Sequence, residues 1–243
     1  MFIYIKYDLS SLDCGCLIER HEEALGYWYE ISYKGVPSPS RCRRTIRLCD
    51  RGGALPIAGR NLPLKRREQA RMLDEEPFDL LLAANAFSFV SRGLDSALFI
   101  DRRGLFHHCA APALIAVRTL YIFTENRPLY SRWNEETLRR FGCSAVILPT
   151  LPRFSDFPAV LRLDGGETDS HPFLFGKGGY MPSGDEVTVR KKPLRRPLCA
   201  ARYLCLKDDT LSSAAPSLLC REDKETTLPA LKNRLDRHLR YGL

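Results

Sequence analysis

Ala97-Leu-Phe-Ile-Asp101-Arg-Arg-Gly104-Leu-Phe-His-His108 lies near the middle of the chain, and its reading decides the fold. Two apolar runs, Ala97–Ile100 and Leu105–His108, flank a short polar break that ends in Gly104. Glycine takes the left-handed backbone at low cost, and a polar break of this kind between two β-forming runs reads as a hairpin. A hairpin here predicts a mixed or antiparallel sheet.

On the N-terminal side, Phe2–Tyr7 is β-branched and aromatic. Tyr27, Tyr29, Ile31 and Tyr33 alternate with Trp28, Glu30 and Ser32, the period of a half-buried strand. Gly35–Ser40 breaks the pattern, Thr45–Cys49 reads as a third strand, and Asp50–Pro63 reads as loop. Leu64–Glu76 has the composition of an exposed helix, stopped by Pro77. Phe78–Arg92 is apolar on most sides and closes on Gly93, which predicts a buried helix, with a pair of short strands as the alternative.

On the C-terminal side, Ala113–Phe123 fits helix or strand equally. A helix capped by Ser131 or Asn134 runs to Phe141, Gly142 stops it, and Ala145–Leu148 follows as a strand. Val160–Leu163, Phe173–Phe175, Glu186–Arg190 and Leu198–Leu206 are further strand candidates. Lys207–Thr227 is polar and Ser-rich, and Pro229 opens an amphipathic helix bearing Leu231, Leu235 and Leu239. The expectation is an α+β fold, with a mixed or mainly antiparallel sheet and three to four helices. Residues 1–206 form the globular body, 207–228 an exposed mobile segment, and 229–243 the terminal helix.

The chain has 243 residues, a net charge of +8 and nine cysteines. An odd cysteine count without a secreted framework predicts reduced thiols and a place in cytoplasm or nucleus. No apolar run reaches the ~20 residues needed to span a bilayer. Arginine clusters such as Arg41–Arg44 and Arg139–Arg140 favour anionic partners, nucleic acid among them.

Sites for chemistry are sparse. Cys14-Gly-Cys16 with His21, and His107-His108-Cys109, lack the paired knuckles of zinc sites, so no metal or other cofactor is expected. Gly176-Lys-Gly-Gly179 is not a phosphate-binding loop, because no GK[ST] pattern or helix follows, and reads as a turn. No catalytic motif occurs, so no residue is assigned a catalytic role and an enzyme is the less favoured class.

Two short segments carry binding signals. Arg190, Lys191, Lys192, Arg195 and Arg196 form a basic patch suited to phosphates or to a nuclear import receptor. Leu218-Leu-Cys220-Arg-Glu222 has the form LxCxE and resembles the motif by which several DNA-virus proteins dock onto retinoblastoma-type pocket proteins. The resemblance implies that Leu218 and Cys220 enter pockets from an extended segment while Glu222 caps a helix N-terminus. The order of the Ala97–His108 hairpin, the apolar run Ala113–Phe123 and a polar break also resembles a cytomegalovirus-type family related to bacterial toxin-immunity (SUKH) domains, which implies a binding module. The leading expectation is a non-enzymatic, host-modulating interaction protein. The alternatives are a basic RNA-binding or ribonucleoprotein subunit and an enzyme of unrecognised family.

Overall fold

The computed structural model describes residues 2–8, 15–23, 26–58, 62–64, 75–164, 170–184, 186–189, 192–201, 203 and 218–241. The chain is α+β with both parallel and antiparallel pairing, as the sequence predicts. The described residues hold six α-helices, more than the three or four expected. Two compact units divide it: Met1–Phe78 with Leu194–Ser212, and Asp79–Pro193 with Ser213–Leu243.

Unit 1 is a four-stranded sheet in the order β2-β3-β1-β4. Strands β2 (Gly15–Glu23) and β3 (Gly26–Lys34) pair antiparallel, while β1 (Phe2–Asp8) lies parallel to both β3 and β4 (Leu55–Ala58). Helix α1 (Pro39–Arg51) occupies the stretch Thr45–Cys49 that reads as a strand. Local chemistry explains this correction. The Ser38 hydroxyl accepts the Arg41 N–H as an N-cap, and Pro39 fits the first turn. Cys42, Ile46 and Cys49 then fall on one helical stripe, which is buried. Five residues were too few to separate a period of two from a period of 3.6. Cys42 and Ile46 pack with Ile5, Tyr33 and Leu62 as the core of this unit.

Unit 2 overturns the hairpin. Strand β5 (Ser96–Ile100) pairs parallel with β6 (Thr119–Phe123) on one side and with β8 (Val160–Arg162) on the other. With β7 (Val146–Leu148) and β9 (Leu174–Gly176), it makes a five-stranded all-parallel sheet in the order β7-β6-β5-β8-β9. Residues 107–109 form a single 3₁₀ turn that runs into α3 (Ala110–Ala116). Ala97 through Ile100 are buried without alternation, as a central strand covered on both faces must be. The apolar run Ala113–Phe123 thus divides into the end of α3 and strand β6.

Helix α2 (Glu76–Val90) is buried along nearly its whole length, as its all-round apolar character predicts. Helix α4 (Arg127–Phe141) starts earlier than Ser131 or Asn134, with Pro128 in its first turn, and ends on Gly142 at φ 69°. Strand β10 (Glu186–Val189) pairs antiparallel with β12 (Leu219–Cys220). Strand β11 (Lys192–Arg195) is followed by α5 (Arg196–Ala201), where a strand from Leu198 is expected. Helix α6 (Leu228–Tyr241) closes the chain, with Leu235 buried and Leu239 exposed.

Residues 65–74 of the expected exposed helix, and residues 207–217 of the expected mobile segment, lie outside the described residues. The described remainder of that segment is not an exposed tail. Leu218, Leu219, Cys220 and Asp223 are buried, and residues 223–227 form a π-helical turn leading into α6.

Candidate functional site

In an open parallel sheet, ligands bind beyond the carboxyl ends of the strands, where the chain leaves adjacent strands in opposite directions. Here that point lies between β5 and β8, because β6 and β7 extend the sheet on one side and β9 extends it on the other. Asp101 follows β5, Thr124 follows β6, Asp164 lies just past β8, and Lys177 follows β9.

The protein fills this crevice with its own groups. Asp101 is fully buried. Its Oδ1 accepts the Leu105 N–H at 3.1 Å, and its Oδ2 accepts the Phe106 N–H at 2.8 Å and the Tyr130 hydroxyl at 2.9 Å. Backbone N–H groups after the first strand are what a nucleotide-binding sheet of this topology offers to phosphate. Asp101 has already taken them. Burial, reinforced by the Asp101 charge, drives the Tyr130 phenol far above its ordinary pKa, so it stays a hydrogen-bond donor.

Asp164 Oδ2 accepts the Arg102 N–H, while Oδ1 has no hydrogen-bond partner. Burial pushes the Asp164 carboxyl up. The Arg102 N–H works against that shift, and the Asp101 charge adds to it. The strand after α3 ties the loop down: Glu125 N–H donates to the Arg102 carbonyl at 2.8 Å, and the Thr124 hydroxyl to the same oxygen at 3.3 Å. The Cys109 thiol is pushed up by burial and by the Asp101 charge, which keeps it protonated. His108 is pushed down by burial and by His107. Neither behaves as an activated nucleophile or a charged acid.

The glycine run is explained by packing. Arg162 is buried; its Nε donates to the Lys177 carbonyl at 2.7 Å, and the Lys177 N–H donates back to the Arg162 carbonyl at 2.8 Å. A Cβ on Gly178 would lie 2.1 Å from Arg162 Nη2, and one on Gly176 the same distance from the Arg162 carbonyl oxygen. These glycines let the loop close on an arginine. The run makes the turn that its sequence suggests, directly after the parallel strand β9.

The residues singled out in the sequence fare differently. Leu218 is 0% and Cys220 1% exposed. The Leu218 carbonyl accepts Asn85 Nδ2 at 3.0 Å, and Cys220 sits opposite Val187 in the β10–β12 ladder. Of the three residues that define the motif, Glu222 is exposed while Leu218 and Cys220 are buried, so they are not presented together as a docking segment. In the basic patch, Arg190 and Lys191 lie outside the described residues, and of Lys192 and Arg195 only the backbone in β11 is described. Arg196 is buried, which removes it from a surface patch. Cys14 lies outside the described residues, and Cys16 is exposed on β2. Among the described residues, Glu19, His21 and Glu30 bring potential ligand atoms within 4.8 Å of one another. Sequence reasoning missed it, together with Asp101, Tyr130 and Asp164. Asp101 and Asp164 each end an apolar run, which was the available signal for a strand's carboxyl end.

No protein-family model matches this chain, and no curated protein matches it. Among solved structures it is similar to L-tryptophan dehydrogenase from Nostoc punctiforme, at 13% identity over 87% of this chain and a TM-score of 0.29. The chain spans 66% of the length of that structure, and a likeness at this score carries no argument about fold or function.

Proposed function

We propose that this chain is a non-enzymatic protein-interaction protein that takes up an extended partner segment along β2. The observation that carries this reading is the state of that strand. It is nine residues long and ends the described sheet, with Leu17 49% and Ile18 62% exposed. Tyr27, 49% exposed, shares the Ile18 face through the β2–β3 register. A long edge with large apolar side chains is a template for strand addition. Among the described residues of the unit 2 crevice, the Leu105 and Phe106 N–H groups are already taken by Asp101 and the Arg102 N–H by Asp164. Leu218–Glu222 lends no support to a retinoblastoma-type partner, because a pocket cannot reach Leu218 or Cys220 while both are core.

The test pairs wild type with a Leu17→Lys, Ile18→Lys variant. The expected result is a partner captured by wild type, cross-linked to β2 and lost in the variant. Equal capture by both proteins overturns the assignment to β2. Saturable binding of a dinucleotide or ATP below millimolar concentration overturns the non-enzymatic reading.

A second reading is favoured by α1. Arg44, Arg47 and Arg51 are exposed on it, and among the described residues none of the three has a carboxylate within ion-pair distance. Such a face suits the phosphates of a nucleic acid. Binding of a random single strand that falls steeply with salt, and is lost on changing the three arginines to glutamate, is its expected result. No binding at low salt ends it.

A further inference from the structure

We propose that Glu19, His21 and Glu30 form a binding site for one divalent transition-metal ion of the zinc class on the β2–β3 ladder. Register brings the three together. Glu19 lies directly opposite Glu30, and His21, two residues further along the same face, lies opposite Trp28. One ring nitrogen and two carboxylate oxygens are the donor set that such ions take, and a calcium site would not be expected to include the imidazole.

Three details separate this group from an accidental cluster of acids. His21 Nε2 is shielded from solvent and has no hydrogen-bond partner. The nearest carboxylate oxygen, Glu30 Oε2, is 4.0 Å away, beyond hydrogen-bond reach. Two ligands of one tetrahedral zinc stand about 3.3 Å apart, so a small closure of this gap places an ion between them. The imidazole is held by packing: its ring stacks on Trp28 at 4.5 Å between centroids and 20° between planes.

Glu30 is oriented in the same way as ligands at established metal sites. Its Oε1 is engaged by Lys6 Nζ at 2.8 Å and by the Ser32 hydroxyl at 2.9 Å. Those partners leave Oε2 pointing at His21 and fix the carboxylate before any ion arrives. Two carboxylates against one ammonium leave the site net negative. Glu19 is exposed and free to swing in as the third ligand, which leaves a fourth position to water.

The test uses the full chain, stripped with a chelator and titrated with Zn²⁺ in a calorimeter. Wild type binds one equivalent, and His21→Ala and Glu19→Gln each weaken binding at least about tenfold. Cobalt serves as the spectroscopic probe. Ligation without sulfur gives weak visible bands and no thiolate charge-transfer absorption, and the paramagnetic ion quenches Trp28, which Trp133→Phe isolates because the chain has two tryptophans. Glu19→Gln alters an exposed side chain, so its result stands even where His21→Ala disturbs the Trp28 packing. No binding by wild type overturns the proposal. So does undiminished binding in both variants, or loss of the ion in Cys16→Ser. The site does not depend on the partner proposed for β2, and either can fail alone.

Discussion

Asp101 in unit 2 and Glu30 in unit 1 are both buried acids, 0% and 9% exposed, but their oxygens are used differently. Both oxygens of Asp101 are engaged by donors of the same chain, two N–H groups and the Tyr130 hydroxyl. Glu30 spends one oxygen on Lys6 and Ser32 and leaves the other facing an unpartnered imidazole nitrogen. Burial alone therefore does not distinguish a structural acid from one available to a ligand. Counting lone pairs does. By that count Asp101, at the point where topology predicts a ligand, has both oxygens engaged, while Asp164 Oδ1 beside it and Glu30 Oε2 at the sheet edge are left open.

The sharpest way to break this comparison is to remove the two kinds of acid. Asp101→Ala orphans two backbone N–H groups and a buried phenol, and it should cost about 3–5 kcal/mol in urea unfolding. Glu19→Gln, on the exposed ladder, should stay within about 0.5 kcal/mol. A small loss for Asp101→Ala would mean that its donors find water, and that the crevice is open after all.

A second pair of variants applies the same contrast within five residues. Leu218→Ala removes a fully buried side chain and should cost about 2–4 kcal/mol. Glu222→Lys changes an exposed one and should cost less than about 0.5 kcal/mol. If Leu218→Ala proves neutral, the segment is a peripheral docking strip and the LxCxE resemblance regains its meaning.

Much of unit 2 was legible element by element and illegible as a whole. The buried helix α2, the Gly142 stop and strands β7, β8 and β10 all follow from composition and turn chemistry. What was lost was the direction of pairing. Asp101-Arg-Arg-Gly104 satisfies the residue preferences of a hairpin, and nothing local shows that the chain continues into a helix instead of turning back. The unbroken apolar run Ala97–Ile100 was the better guide, since an antiparallel strand with one wet face alternates. In unit 1, Glu19, His21 and Glu30 were invisible as a group, because their meeting depends on a register set by a turn between β2 and β3. The LxCxE string was legible but misleading, because a linear motif says nothing of its own burial.

The smallest effect concerns acid stability, where the two units should respond in opposite senses. Glu30 is held below its ordinary value of 4.5. Its ionised form is the one the fold favours, so its contribution is fully present above 4.5 and is lost as pH falls through the lower folded value. Asp164 is raised above its ordinary value of 3.8, chiefly by burial. Between 3.8 and its raised value the folded chain binds more protons than the unfolded one, so stability falls as pH rises through that window. Glu30→Gln should therefore match wild type in strong acid and fall behind it as pH increases. Asp164→Asn retains an acceptor for the Arg102 N–H, so it should match wild type in strong acid and overtake it as pH increases. Urea midpoints of the three proteins from pH ~3 to ~7 read out both slopes. Parallel curves would show that the two acids occupy equivalent environments, and the distinction between Glu30, held ionised by Lys6 and Ser32, and Asp164, raised by burial, would fail.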